Sequence, residues 1–150
     1  MLIGIDPLLS PEALFVLRSM GHGDDLIIAD ANFPAEAVSR GTVFGRPIRL
    51  DGDTARIVRA VLSVMPIDTF VDDAVARMEV VGSPDEITEV QHEVLSLLPS
   101  QDVRMIGVER FAFYERAKKA YAVIQTQERR FYGCFAIRKG VIAPDAAMPG

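Results

Sequence analysis

The sequence predicts an α/β fold, a single three-layer α/β/α domain built around a mostly parallel sheet. Helix-type and strand-type segments alternate from one end of the chain to the other, and no internal repeat or linker divides them. The composition is that of a globular domain, with 49% hydrophobic and 25% charged residues over a length of 150. A chain of this length can bury a sizeable core without disulfides or a structural metal. We therefore expect residues 1–150 to form one domain.

Capping residues and apolar spacing predict two helices in the first half of the chain. Ser10 can cap a helix whose first position suits Pro11, and Gly21 is a natural end for that helix. Asp53 is the expected cap of another helix, which ends before Pro66. Apolar residues at helical spacing follow both caps, as amphipathic helices require.

Three more helices are predicted along the chain. A short one covers residues 34–39. Another begins at the capping-box spacing of Ser83 and Glu86 and stops at Pro99. The last covers residues 111–119 and directly follows a strand-like run.

Strand-type runs alternate with these helices. They cover residues 26–29, 46–50, 74–81, 103–108, 121–126 and 131–138. Only residues 127–130 separate the last two runs, too few for a parallel crossover, so we expect these runs to pair as a C-terminal antiparallel hairpin. In a single chain the last run would then be an exposed sheet edge, which self-association covers.

Composition and charge argue against several classes of partner. The 16 Lys and Arg residues are scattered among 21 Asp and Glu residues, giving a net charge of −5, so neither nucleic acid nor an anionic membrane is an expected partner. No apolar run approaches the roughly 18 residues that span a bilayer. A single cysteine, Cys134, excludes an intrachain disulfide, and the N-terminus lacks a signal-peptide pattern, so a cytoplasmic location fits best.

One histidine lies where a functional group is easily presented. His22 stands between Gly21 and Gly23, in a loop between the first helix and the first strand. Histidine can both give and take a proton near neutral pH, which makes His22 the acid–base candidate. The alternative is a histidine that interacts only with the helix dipole and solvent. The other histidine, His92, lies on the polar side of a predicted helix and is expected to be a solvated surface residue.

An aspartate ends the first predicted strand, where α/β sheets usually bind ligands. The carboxylate of Asp30 can accept two sugar hydroxyls or orient a histidine. The alternative is a turn aspartate that caps the next helix. His22, Asp24, Asp25 and Asp30 together could supply metal ligands, but their spacing matches no established metal motif, so no metal is expected.

Two later segments carry further candidate binding residues. Arg110, just past a strand end, can hold a substrate oxygen, although a solvated amphipathic helix with aromatic anchors explains its surroundings equally well. Tyr132, Gly133 and Cys134 begin the final strand, where a glycine lets a ligand approach the main chain. The sequence contains no phosphate loop, no dinucleotide fingerprint and no serine with a partnered histidine. No cofactor is therefore expected.

Taken in order, a set of motifs resembles the D-ribose pyranase and L-fucose mutarotase family over nearly the whole chain. The motifs are Ser10-Pro11-Glu12, Met20-Gly21-His22-Gly23-Asp24, Asp30-Ala31-Asn32-Phe33-Pro34, Arg110-Phe111-Ala112-Phe113-Tyr114-Glu115-Arg116-Ala117, Tyr132-Gly133 and Lys139-Gly140. Arg110 resembles the fucose branch, because ribose-type members place a histidine there. The family usually has asparagine where this chain has Cys134, and a thiol is a much weaker hydrogen-bonding group than an amide.

The resemblance implies an enzyme that interconverts the α and β anomers of a monosaccharide, preferably L-fucose-like, without cofactor or metal. It assigns proton donation to His22, and sugar binding to Asp30, Arg110, Tyr132, Gly133 and Cys134. A D-ribose pyranase-like enzyme and a non-catalytic sugar-binding accessory of an uptake system remain alternatives.

The resemblance also implies a ring-shaped homo-oligomer, a decamer, with pockets near the subunit contacts. We expect the final hairpin of one subunit to close the neighbour's site. Tyr132 and Cys134 would then act across an interface, while His22 and Asp30 lie on one chain.

Overall fold

The computed structural model describes residues 1–147, and these residues form helices packed on one six-stranded sheet. The helices are α1 (Pro11–Ser19), α2 (Ala35–Ser39), α3 (Thr54–Leu62), α4 (Glu89–Leu95) and α5 (Arg110–Lys118). The strands are β1 (Asp25–Ala29), β2 (Ile48–Arg49), β3 (Val75–Met78), β4 (Met105–Val108), β5 (Ala122–Gln125) and β6 (Phe135–Arg138). No helix within residues 1–147 has the length and apolar character needed to cross a membrane.

The sheet is mixed, with the strand order β2-β5-β1-β6-β3-β4. Strand β5 pairs in parallel with β1 and β2, and β3 pairs in parallel with β4. Strand β6 is antiparallel to both of its neighbours, β1 and β3. The prediction of a mostly parallel sheet is confirmed.

Helices cover both faces of the sheet. On β1, Leu26 and Ile28 pack with apolar residues of α1, α3 and α4. Ile27 and Ala29 point to the opposite face, where they pack with α2 and α5. An uninterrupted apolar run is what a strand buried on both faces requires, since successive side chains alternate between the two faces. The three-layer prediction is confirmed.

The predicted pairing of the C-terminal hairpin is wrong. Strands β5 and β6 lie on either side of β1, so that Ile27 of β1 is opposite Val123 of β5 and Ala136 of β6. Strand β6 begins at Phe135 rather than 131, so residues 126–134 connect the two strands. That connection is long enough to cross the end of β1, a step of about 10 Å at the usual strand spacing. Because β6 is central, an exposed edge at this strand no longer argues for self-association.

Two of the predicted helix caps are confirmed, and the third is wrong. Ser10 and Asp53 accept hydrogen bonds from backbone N–H groups of α1 and α3. Helix α4, in contrast, begins after Thr88, whose side chain forms a capping box with Gln91. The pair Ser83 and Glu86 has the same spacing but lies in turns before α4.

Candidate active site

A cavity of about 220 Å³ opens at the carboxyl end of β1. The structure brings four of the predicted binding residues together in its wall: Asp30, Arg110, Tyr132 and Cys134. The remaining lining residues are Asn32, Phe33, Met78, Tyr114 and Phe131. The cavity therefore combines a carboxylate, a guanidinium and phenols with aromatic and thioether surface.

Asp30 is the most buried charged group of this cavity, with only 5% of its surface exposed. Its Oδ1 accepts a hydrogen bond from the Asn32 N–H (3.0 Å) and its Oδ2 accepts one from the Gly133 N–H (3.2 Å). Burial raises the pKa of the Asp30 carboxyl above its usual range, an effect that the Cys134 thiol and these N–H groups partly oppose. A carboxylate offers about four lone-pair sites, so Asp30 can also accept a sugar hydroxyl. The predicted alternative, a cap for the next helix, is not found, because α2 has no side-chain cap.

Gly133 supports Asp30 from the connection before β6. A Cβ atom at this position would lie 2.8 Å from the Glu128 side chain and 3.3 Å from the Cβ of Asp30, so only glycine allows this close approach. Its carbonyl accepts a hydrogen bond from the Thr54 hydroxyl (3.1 Å). Contact between Gly133 and a substrate stays a prediction.

Tyr132 has the left-handed backbone conformation, with φ at 62°, which is uncommon for a bulky residue. Two contacts hold it there. Gln91 donates from its side-chain amide to the Tyr132 carbonyl (3.2 Å), and the Val81 N–H donates to the phenol oxygen (3.1 Å). Because the phenol accepts from Val81, its own proton is available to an oxygen in the cavity.

Arg110 stands at the rim of the cavity as the first residue of α5. The preceding Glu109 caps the helix by accepting from the N–H groups of Phe111 and Ala112, and this cap sets where Arg110 enters the helix. The Arg110 Nε–H donates to the Tyr114 hydroxyl (3.3 Å), and this contact raises the pKa of the guanidinium further. The exposed, permanently charged group can hold a substrate oxygen.

Cys134 lies at the bottom of the cavity, beside Asp30. Burial and the neighbouring carboxylate raise the pKa of its thiol well above the usual range. A neutral thiol is a poor nucleophile, so the position of Cys134 favours a wall residue and a weak hydrogen-bond partner of Asp30.

His22 lies at the other end of β1, in the loop that follows α1. Its side chain is 42% exposed, and its Nε2 is 3.1 Å from Oδ2 of Asp68. The ring of Phe70 contacts the imidazole edge to face, with centroids 5.3 Å apart. The contacts with Asp68 and Phe70 argue against the alternative of a histidine that meets only the helix dipole and solvent. His92, as predicted, is exposed on α4.

Sequence reasoning missed Asp68. The residue is only 4% exposed, and its Oδ1 accepts a hydrogen bond from the Phe70 N–H (3.0 Å). That N–H, together with the contact to His22, lowers the pKa of the Asp68 carboxyl. The segment from Asp68 to Phe70 has the spacing of an Asx turn, the one local signal that the sequence carries, and it does not indicate a histidine partner.

The structure does not bring His22 and Asp30 together within one chain. They lie beyond opposite ends of β1, and four steps along that five-residue strand alone span about 13 Å. Tyr132 and Cys134 instead share one cavity with Asp30. The expectation that His22 and Asp30 act on one chain, with Tyr132 and Cys134 contributed by another, is therefore wrong.

The set of conceivable metal ligands, His22, Asp24, Asp25 and Asp30, depends on the same pair of residues, and these four side chains do not come together. Asp24 and Asp25 lie at the amino end of β1 with His22, whereas Asp30 lies beyond its carboxyl end. Within residues 1–147, no three His, Cys, Asp or Glu side chains come close enough together to hold a metal ion.

Comparison with known proteins identifies the family to which the chain belongs. Residues 3–142 match the RbsD / FucU transport protein family. The fucose mutarotase of Homo sapiens is 45% identical over 146 residues, which cover 93% of this chain and 94% of that protein.

Solved structures agree with this result. The crystal structure of protein Atu2016 shares 50% identity and a TM-score of 0.92, covering 95% of this chain and 97% of that one. The fucose mutarotase of Streptococcus pneumoniae, crystallised in complex with L-fucose, shares 33% identity and a TM-score of 0.82, covering 95% of this chain and 100% of that one. The resemblance indicated by the motifs is thus confirmed, and the chain belongs to the RbsD / FucU family.

Proposed function

We propose that the protein is a fucose mutarotase-like isomerase, which interconverts the α and β anomers of an L-fucose-like monosaccharide. The observation that carries the proposal is the cavity of Asp30, Arg110 and Tyr132, where a carboxylate, a guanidinium and a phenol face one small space with aromatic walls. Such a combination suits a sugar, whose hydroxyls need directed hydrogen bonds and whose C–H faces need apolar contact. The similarity to mutarotases from animals and bacteria supports the same function.

The reaction requires only proton transfers and rotation about one bond. A base takes the proton from the anomeric hydroxyl, an acid gives a proton to the ring oxygen, and the bond between that oxygen and the anomeric carbon breaks. The open-chain aldehyde then rotates, and the ring closes by the reverse steps. We assign the proton transfers to His22, since general acid–base catalysis contributes about 10²- to 10⁴-fold. Asp30 and Arg110 hold the hydroxyls that do not react.

We propose further that each working site is shared between two copies of the chain. His22 is too far from the Asp30 cavity to serve it within one chain, so the partner subunit's His22 completes the site. Exposed apolar side chains flank both halves: Phe70 lies beside His22, and Phe111 and Phe131 lie near or at the rim of the Asp30 cavity. A contact between two different surfaces repeats from copy to copy, and it closes into a ring when the rotation between copies completes a full turn. We therefore retain the ring-shaped homo-oligomer, a decamer by resemblance.

A cytoplasmic location is part of the same proposal. The single cysteine, Cys134, is a free, buried thiol. Proteins that work in oxidising compartments more often use their cysteines in disulfides, whereas free thiols are usual in the reducing cytoplasm.

Saturation-transfer NMR on a panel of sugars tests the activity. We expect catalysed exchange between the anomers to be fastest with L-fucose. Faster exchange between pyranose and furanose forms of D-ribose would support the pyranase alternative instead. Sugar binding without any catalysed exchange would support the non-catalytic accessory.

Co-expression of two inactive variants tests the shared site. In a ring that contains His22→Ala and Asp30→Ala chains at random, about one quarter of the sites combine an intact histidine with an intact aspartate, so about one quarter of the activity returns. A site within one chain that needs both residues predicts no recovery. A sugar bound beside His22, in the cavity lined by Asp68, would instead leave Asp30→Ala alone active. If the site is shared, each variant alone should keep only a small fraction of the wild-type rate at sugar concentrations below KM.

A further inference from the structure

We propose that Asp68 is a positioning residue, which fixes the ring of His22 and determines the nitrogen that exchanges protons with the sugar. This inference rests on the proposed function, because it adds a second residue to the same acid–base step. It starts from one contact, the 3.1 Å between Nε2 of His22 and Oδ2 of Asp68.

The contact assigns the proton on the imidazole ring. An ionised carboxylate only accepts hydrogen bonds, so Nε2 must carry a proton to donate to Asp68. Nδ1 is then the nitrogen left for the sugar: it takes the proton of the anomeric hydroxyl and returns a proton to the ring oxygen. Asp68 keeps the ring in the tautomer that this exchange requires, as a hydrogen-bonded partner of a histidine generally does.

Asp68 is itself held firmly enough to act as a support. Its carboxylate accepts the Phe70 N–H (3.0 Å), and its backbone N–H donates to the Arg138 carbonyl (2.9 Å). The Phe70 ring then contacts the imidazole nearly at a right angle, with an interplanar angle of 85°. A single short segment thus supplies a hydrogen bond to one nitrogen and an aromatic contact to the ring.

The chain after β6 joins the loops that carry the two residues. The Lys139 carbonyl accepts from Gly23 in the histidine loop (2.9 Å), and the Gly140 N–H donates to Pro66 in the aspartate loop (2.8 Å). A Cβ on Gly140 would lie 2.5 Å from the Ile67 carbonyl oxygen, so only glycine allows this packing. The geometry of the pair is therefore built into the backbone and does not depend on two mobile side chains finding each other.

Asp68 is the charged group in direct contact with the imidazole, but other charges lie on the segments around it. Asp24 lies in the same loop and accepts the Gly21 N–H (2.7 Å). Arg138 and Lys139 belong to the strand and its extension, and the cavity next to Asp68 is also lined by Asp72, Asp102 and Arg104. Among residues 1–147, Asp68 is the carboxylate that lies within 4 Å of an imidazole nitrogen of His22.

Kinetics of Asp68→Asn and Asp68→Ala, measured by saturation transfer with L-fucose, test the role. We expect kcat to fall about tenfold or more in Asp68→Asn, by less than the 10²- to 10⁴-fold supplied by the acid–base group itself. KM should stay unchanged, because Asp68 does not line the Asp30 cavity. Asp68→Ala should lose more than Asp68→Asn, whose amide oxygen can still accept from Nε2. The control Asp72→Asn removes a carboxylate from the same cavity without touching the imidazole, and it should keep wild-type kinetics.

The tautomer of His22 separates positioning from a loss of structure. In Asp68→Ala no carboxylate accepts from Nε2, so the Nε2–H tautomer should no longer be favoured, whereas Asp72→Asn should keep it. An equal change in both variants would overturn the proposal.

The wild-type protein offers a test that needs no Asp68 variant. Two-bond ¹H–¹⁵N correlation of labelled histidine should show the Nε2–H tautomer, with His92→Ala used to assign the signals, and an Nδ1–H tautomer would overturn the proposal. If the wild-type protein catalyses no exchange between anomers, the proposed function and the role of Asp68 are both overturned. Wild-type exchange with an unaffected Asp68→Asn variant overturns the positioning role alone.

Discussion

The two ends of β1 each carry a carboxyl with little exposed surface, and the pKa values of these two carboxyls are shifted in opposite directions. Asp30 and Asp68 expose almost equally little surface, 5% and 4%, and each accepts backbone N–H groups, but Asp30 lies deeper in the protein. Burial dominates at Asp30 and raises its pKa, whereas the Phe70 N–H and the His22 contact lower the pKa of Asp68. The side-chain neighbour of Asp30 is a neutral thiol, and that of Asp68 is an imidazole. Depth and hydrogen-bonding partners together set the direction in which the pKa of a carboxyl moves.

The same comparison divides the proposed reaction between the two ends. The carboxyl end of β1 has the cavity and groups that can bind hydroxyls, and the amino end has the exposed histidine with its support. Under the proposed function, a single chain thus carries two half-sites at opposite ends of β1. Perturbing each end separately should therefore change different kinetic constants.

The largest effect is expected from His22→Ala at the amino end. Catalysed anomer exchange should fall about 10²- to 10⁴-fold, because the acid–base group is lost, while sugar binding is retained. Saturation-transfer NMR measures the exchange, and line broadening of the sugar signals reports the binding. The matched control is His92→Ala on the exposed face of α4. A His22→Ala variant with near-wild-type exchange would remove the histidine from the mechanism.

Asp30→Ala should act at the other end, on binding. Hydrogen bonds to a charged group contribute about 1.5 to 3 kcal/mol, so affinity for the sugar should fall about 10- to 100-fold. Titration calorimetry measures this loss, and the exposed Asp85, changed to Ala, serves as the control. Unchanged affinity would mean that the sugar binds elsewhere.

Replacing either carboxyl by an amide should have a smaller effect, on stability. The pH dependence of that effect should have opposite signs for Asp30 and Asp68. The raised pKa of Asp30 means that its contribution to the free energy of unfolding is largest below the unfolded-state pKa of about 3.9 and falls as pH rises through the folded pKa. Asp30→Asn should therefore gain stability relative to wild type as pH rises above that value.

The lowered pKa of Asp68 reverses the sign. Its contribution is present above the unfolded-state pKa and is lost as pH falls through the folded pKa, so the disadvantage of Asp68→Asn should shrink below about pH 3.9. Urea unfolding of both variants over a pH series measures the two trends. Parallel trends would contradict the contrast between the two ends.

The smallest expected effect is that of a chelator, which should leave the exchange rate unchanged. Moving a proton between two oxygens requires a base and an acid, both of which one histidine provides. His22, Asp24 and Asp30 also cannot converge on one ion within a chain, because β1 separates them. Loss of activity in EDTA that a divalent ion restores would show that this account of the chemistry is wrong.

Local sequence signals predicted the start of a helix correctly only where a single residue could serve as its N-terminal cap. Ser10 and Asp53 are such cases, and both form their side-chain caps. Around α4 the sequence offers two capping boxes five residues apart, and local chemistry cannot choose between them. Burial of Val90 and Val94 favours the later start, which is a tertiary effect.

The residues of the candidate site could likewise be predicted only in part from the sequence. Asp30 and Arg110 could be placed near each other because both lie just beyond the carboxyl ends of strands in one sheet. The partner of His22 could not be predicted in this way. Asp68 lies on a loop distant in sequence, which only the packing of Lys139 and Gly140 brings close to His22. The pairing of β6 failed for a related reason, since a count of connecting residues does not reveal that β1 lies between the strands.

The central position of β6 affects how the chain folds during its synthesis. Until residues 135–138 have left the ribosome, β2-β5-β1 and β3-β4 are two parallel half-sheets without the strand that joins them. Both β1 and β3 then present an unpaired, almost wholly apolar edge. Chaperones bind such surfaces, and unprotected edges of this kind aggregate. A chain whose synthesis ends shortly before Phe135 therefore lacks a central strand of the sheet and not an edge strand. We expect degradation of such a product and no partial function.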